Sequence, residues 1–570
     1  MSFFLRKSIK SNGVYLQICE TVYNKETKSS SNKNYKIIGY ADSYKHLYDD
    51  PIKHFEDVVK EMNLKAKEDK NIKVSSSNPV TKNIGYFLVK ALFNTLNVKK
   101  DLDLMGSGFK FEKSISDFIE TMVFCQIVKP SSKLKNAQEI IPSLYGVNSF
   151  SEDQIYRMIN FVGTNYKKYI EIFNEHVKKL FGRNYKHVFF DCTNYYFEID
   201  LPKEDKQKGP SKENRKEPII GQALLLDANQ IPLSMEMYPG NQSEKPYIRK
   251  MIEEMKTKYN VKGRTIQVAD KGLNCAKNIY SATKEANDGY VFSKSVHGNN
   301  LSAIEKEWVL LEDDSYNKWT SVFDSNNKLI YKVKETIDVF DYEFIDDLGN
   351  KVKFKQKEKR VVTYNPCLAR KQKAEIDKQV DKVLKLNTLR GIKRTEYGDA
   401  IKYASFNNEV DVSLNYDKIE EDKKYAGYNL IVTSETNLSA LEIYNIYHGL
   451  WRIEESFRIT KSYLEARPVY LQTKESIYGH FLICYLSLLL LRLLEFKVFE
   501  NKLNSSEIVN YIRSFNITEV DERFVSNILM TDILKTVKEV TQISCIDNYY
   551  LDKKQIEKCL ITSFSTLDFE

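Results

Sequence analysis

Between His187 and Asp270 the apolar residues change their period twice, and that change commits this stretch to a sheet with helices laid on it. HVFFDCTNYYFEI is a dense apolar run, and PIIGQALLL and IPLSMEMY follow after a polar loop. Asp227, Ala228, Asn229 and Gln230 join the last two, which reads as a hairpin. PYIRKMIEEMKTKYN then sets Ile248, Met251, Ile252, Met255 and Tyr259 on one helical face, and RTIQVAD is a short buried strand ending at Asp270. Strand, strand, strand, helix, strand is the order of an α/β domain.

At 570 residues and about 150 per domain, three or four structural units are expected. We read 1–80 as a small β-containing unit, with GVYLQICETVY and NYKIIGYADSY as its strands, and 81–183 as a helical region available for DNA binding. Residues 184–296 form the first part of the α/β domain, 297–424 a polar, turn-rich insertion that ends in a charged helix, 425–498 the second part, and 499–570 a C-terminal helical region. The second part begins with the strand YNLIVTS and a helix whose start carries a capping box, Ser439 with Glu442. The excess of 86 basic over 78 acidic residues is mild and permits a polyanion partner without demanding one. Cysteines at 19, 125, 192, 275, 367, 484, 545 and 559 show no metal spacing and read as reduced thiols of a cytoplasmic protein, and no secretory signal is visible. IYGHFLICYLSLLLL, Ile477–Leu491, is shorter than the ~20 residues of a membrane span and reads as a buried core helix containing a satisfied histidine, His480.

An acid inside or at the end of an apolar strand is costly unless its charge is balanced. Asp191 in VFFDCTNYYF and Asp270 in IQVADKG are two such acids. A third candidate lies on a later helix: at about 100° per residue Tyr447, Trp451, Glu454, Arg458 and Lys461 share one stripe, beside an apolar stripe of Ile446, Leu450, Ile453, Phe457 and Leu464. An aromatic, an acid and two cations along one edge suit a metal ligand flanked by phosphate contacts. Cys192, next to Asp191, should point to the opposite face of its strand.

YHGLWRIEESFRITK resembles the signature of a large group of bacterial insertion-sequence transposases: Tyr, two residues, Arg, three residues, Glu, six residues, Lys. Tyr447, Glu454 and Lys461 match it in register, whereas Leu450 stands at the arginine position. Arg452 projects from roughly the opposite side of the helix, while Arg458 lies on the face that can compensate. Asp191-Cys192-Thr193 and VADKGL around Asp270 resemble the first and second acid motifs of the DDE transposases. GPSKENRKEP, LLLDANQIPLSMEMYPGNQSE and RPVYLQTKESIYGHFLICYLSLLL are also similar to this group, as is, more weakly, the PSSKL segment near Ser131.

The resemblance implies a ribonuclease-H-like fold, a mixed sheet flanked by helices with a β-rich insertion, and Asp191, Asp270 and Glu454 as catalytic ligands of two divalent ions, Mg²⁺ or Mn²⁺. It implies double-stranded DNA as partner, both the element's terminal inverted repeats and the target, bound by a homodimer on paired ends and with no membrane involved. DNA contacts are expected from Tyr447, Arg458, Lys461, Lys212 and Arg215, the last two in a loop shared with Lys203, Lys206, Lys208 and Lys216. Related enzymes stack an insertion aromatic on a displaced base; Trp308 and Trp319 are available, although buried packing is the usual role of tryptophan. A catalytically decayed DNA-binding remnant and a host nuclease of the same fold are the alternatives.

Overall fold

The computed structural model describes residues 2–24, 29–72, 80–212, 216–297, 301–312, 318–388, 394–406, 412–520 and 523–564. The chain divides into two compact units, Met1–Val80 and Thr81–Glu570.

In the first unit, strands Ser2–Lys10, Gly13–Asn24 and Ser29–Tyr40 form an antiparallel meander. Gly13 takes φ +110°, a conformation that favours glycine, to close its first turn. The helix Pro51–Ile72 follows, an element that the reading of this stretch as β-containing did not anticipate. Asn63 fastens it to the sheet, accepting from the Phe3 N–H and donating to the Phe3 carbonyl, both at 2.8 Å.

The second unit is mixed α/β. Its helical part comprises Phe87–Leu96, Lys99–Gly106, Ile115–Val128, Glu152–Thr164 and Tyr166–Phe181. The apolar helix Lys474–Leu493 runs through this region with almost every residue buried, so its length and hydropathy serve the protein core. It crosses the helix Glu152–Thr164 so closely that a Cβ on Gly163 would run into the Glu475 carbonyl and one on Gly479 into the Ile159 carbonyl.

The central sheet has the order Thr320–Phe323, Leu329–Ile345, Lys351–Tyr364, Tyr428–Thr433, Gly289–Lys294, Ile266–Ala269, His187–Tyr196, Ile219–Leu226, Pro232–Pro239. His187–Tyr196, Ile266–Ala269 and Gly289–Lys294 are mutually parallel, and the other pairings are antiparallel. The strand, strand, strand, helix, strand reading thus describes one end of this sheet, with Pro232–Pro239 at its edge and the helix at Lys245–Lys258. The strands of the insertion continue the same sheet, because Lys351–Tyr364 pairs with Tyr428–Thr433 along Lys359–Tyr364. Alternation splits the core: Phe189, Val268 and Val291 face the layer that holds the long apolar helix, while Val188, Phe190, Ala269 and Phe292 face the layer of Lys245–Lys258.

The C-terminal stretch carries helices at Ser505–Ser514, Asp532–Thr541 and Lys553–Ile561, but also short strands. Asn516–Val520 pairs with Thr81–Asn83 and with Arg523–Ser526, which pairs in turn with Tyr550–Leu551. Strands of two to five residues leave too little alternation to be seen among helical patterns.

Candidate active site

The site is built on the register of the parallel strands. Phe190 lies opposite Ala269, and Ala269 opposite Phe292, so the next step along each strand brings Asp191, Asp270 and Ser293 into one row. Asp191 and Asp270 therefore leave the same face of strands about 5 Å apart. Cys192 is buried in the opposite layer, where Tyr238 hydrogen-bonds it, as strand alternation requires.

The site face is covered by the chain from Ala440 to Tyr463. The helix Ala440–His448 starts with the expected capping box of Ser439 and Glu442 and ends in a tight turn, in which the Leu450 N–H reaches the Tyr447 carbonyl and the Ile453 N–H the Leu450 carbonyl. A second helix, Trp451–Arg458, leads into a π turn at Ile459–Tyr463. The expected single helix is thus three pieces. The tight turn adds rotation and the wide turn removes it, so Trp451, Glu454 and Arg458 stay on an exposed edge while Leu450, Ile453 and Phe457 are buried. Gly449 rests on the Asp191 strand, where a Cβ would meet Phe189 Cζ at 2.8 Å.

Asp191 has a side chain only 19% exposed. Its Oδ1 accepts from the Cys192 N–H at 2.7 Å and from Lys212 Nζ at 3.3 Å. Burial pushes its carboxyl up to about 6 against the opposing pull of Lys212. Lys212 also donates to the Cys192 carbonyl and stands 3.7 Å from Glu244. Asp270 Oδ1 accepts from Ser293 Oγ at 2.8 Å and from the Tyr447 hydroxyl at 3.3 Å. Burial first, and the Asp270 charge second, hold the Tyr447 hydroxyl above the usual phenol range. The Glu454 carboxyl is raised by partial burial and then by Asp270, and lowered by Lys212, which makes Glu454, Asp270 and Lys212 electrostatic neighbours.

Of the expected site residues, Asp191, Asp270, Glu454, Tyr447 and Lys212 are therefore in one neighbourhood, with Tyr447 and Lys212 spent on the carboxylates. Arg458 is on the exposed edge and 3.3 Å from Glu455. Lys461, within the π turn, lies with its Nζ 5.5 Å from the Tyr195 ring on the Asp191 strand. Arg215 lies outside the described residues. Ser293 was not anticipated, although the alternation in YVFSK would have set it on the Val291 face. Glu244 gave no signal, since only the fold brings it to Lys212. Trp308 and Trp319 flank the buried Lys334, whose Nζ is 5.1 and 4.7 Å from their rings.

Three carboxylates supply hard oxygen donors; burial raises Asp191 and Glu454, and Asp270 adds its repulsion to Glu454, costs that a divalent cation relieves, so the residues fit such an ion. Among the described residues no three acidic, imidazole or thiol side chains already form a closed ligand set. Among the described residues Lys212 is the cation paired with Asp191, at 3.3 Å.

No protein-family model matches this chain, and no curated protein matches it.

Proposed function

We propose that the chain is a DDE-type transposase of a bacterial insertion sequence, a metal-dependent enzyme that cleaves the DNA ends of its element and joins them to target DNA. The observation that carries this reading is the row formed by Asp191 and Asp270 on neighbouring parallel strands, with Glu454 brought electrostatically against it from a later helix. Two acids on adjacent strands and a glutamate on a later helix is the arrangement that the ribonuclease-H-like resemblance implies.

Asp191, Asp270 and Glu454 would hold two divalent ions, Mg²⁺ or Mn²⁺. When bound, such a pair activates an attacking oxygen and stabilises the leaving one in an in-line phosphoryl displacement. Tyr447 and Ser293 hold the Asp270 carboxylate in place. Lys212 balances the charge of Asp191, a role that a divalent cation would share. Lys461 and Arg458 face the phosphates flanking the scissile bond. In the first step a water oxygen bonds to phosphorus and the 3′ oxygen departs, leaving a free 3′-OH at the element end. In the second that hydroxyl attacks a target phosphodiester, whose own 3′ oxygen departs. Work on two ends at once calls for a homodimer.

Gel shift and nicking on the same duplex, using the DNA that flanks the coding sequence, test this. Asp191→Asn and Glu454→Gln should bind the ends as the parent chain does while cleavage falls below detection. Cleavage near the parent rate in either variant overturns the assignment, and cleavage without any strand joining would make the chain a nuclease.

A further inference from the structure

The Asp191 strand runs on from the carboxylates to Tyr196, and cations follow it. Tyr195 lies four residues past Asp191, about 13 Å along the strand, with Lys461 Nζ over its ring. The Arg467 guanidinium lies 4.4 Å from the ring of Tyr196. Beyond Arg467 the segment Pro468–Leu471 forms one wall of a notch of about 20 Å³, whose other walls are Ser131, Ser132, Lys133 and His480. No carboxylate is among these residues.

Lys133 is 3% exposed, and its Nζ has no hydrogen-bond partner among the described residues. Its ionisable neighbours are Cys125 and Cys484, both thiols held protonated by burial, and His480. His480 presents no acceptor on its Nε2, which hydrogen-bonds the Ala466 carbonyl at 3.1 Å. Burial holds the Lys133 amine below the usual lysine range, and an amine buried without a partner is costly for a fold to keep. Here it lines an opening that also holds two hydroxyl groups and admits one water or one ligand oxygen. Several acceptor oxygens and a negative charge would satisfy it.

We propose that the notch of Lys133, Ser131 and Ser132 is a phosphate subsite, and that it holds a backbone phosphate of the DNA strand leading away from the carboxylates past Lys461 and Arg467. The occupant rests on the function proposed above; the phosphate chemistry of the notch does not.

Full-length protein and its Lys133→Met and Ser131→Ala variants test it. Inorganic phosphate should raise the unfolding temperature of the parent chain, raise that of Ser131→Ala less, and leave that of Lys133→Met unmoved. Without phosphate, Lys133→Met should unfold no lower than the parent, having exchanged an unpaired buried amine for an apolar side chain. If that variant does not fold, Ser131→Ala carries the same comparison. On duplex DNA of arbitrary sequence, Lys133→Met should flatten the dependence of log affinity on log salt by about 0.9, one phosphate contact. An equal response to phosphate and an equal salt slope in parent and variants would overturn the subsite. A Lys133-dependent response to phosphate in a chain that binds no duplex would support the subsite and overturn the DNA reading that supplies its occupant.

Discussion

Arg452 and Arg458 sit six residues apart and are bound for different fates. Arg452 NH1 is 2.9 Å from Glu455 and 3.5 Å from Glu495, and the fully buried Arg492 joins the same two carboxylates at 2.9 and 2.8 Å. This network, on the side of the helix away from Asp270, holds Glu454's neighbour in place. Arg452→Ala should cost about 2–3 kcal/mol in urea unfolding, somewhat less than breaking a fully buried pair because Arg492 still pairs both carboxylates, and leave the salt slope of DNA binding unchanged. Arg458, 65% exposed, should be replaceable by alanine within about 0.5 kcal/mol of stability while flattening that slope by about one unit. A salt slope altered by Arg452→Ala and not by Arg458→Ala would contradict the register. His480 gives a prediction in pH. Burial, then Lys133, depress its imidazole to about 3, so between about pH 6.5 and 3 the unfolded chain binds a proton that the folded chain refuses. Stability should therefore be undiminished by His480 above pH 6.5 and fall as the pH drops below it. In His480→Gln that share of acid sensitivity should vanish from the pH dependence of the unfolding free energy.

At the scale of elements, the site depends on how the Glu454 helix is seated. Gly449 lets the chain touch Phe189, two residues before Asp191 on the same strand face. Gly449→Ala should cost about 1–3 kcal/mol by overpacking, lift the helix, and reduce cleavage more than DNA binding. Equal losses of cleavage and binding would instead mean that the helix grips DNA as a whole. What could be read here from sequence was periodic: the three strands, the helix bearing Met251 and Met255, and the capping box at Ser439 all announce themselves by spacing. The alternation that sent Cys192 away from Asp191 was equally legible. The tight turn at Gly449 and the π turn at Ile459–Tyr463 were not, because each alters rotation by a fraction of a turn without changing which residues are apolar. The partners of the acids were hidden for another reason: Ser293 on Asp270 and Glu244 by Lys212 are contacts between strands or loops that only the sheet order brings together.

Across the whole second unit, the insertion is structural as well as additional. Its strand Lys351–Tyr364 covers the edge of Tyr428–Thr433, and the buried Glu358 accepts from the hydroxyls of Tyr290 and Tyr342. Replacing residues 301–424 by a short linker would expose that edge and strand the Tyr290 hydroxyl, so the excised chain should lose its cooperative thermal transition in circular dichroism. A transition at the parent temperature would show the insertion to be an independent module. The sheet and the helix laid on it bring together acids that are 79 and 184 residues apart, and we propose that they act as one metal site. Titration of Mn²⁺ into the protein, read by the paramagnetic resonance of the free ion, tests that most directly. The parent chain should bind the ion, with a loss of more than about tenfold in each of Asp191→Asn, Asp270→Asn and Glu454→Gln, since even outer-shell partners produce losses of that size. Mn²⁺ bound by Glu454→Gln as tightly as by the parent chain would contradict it.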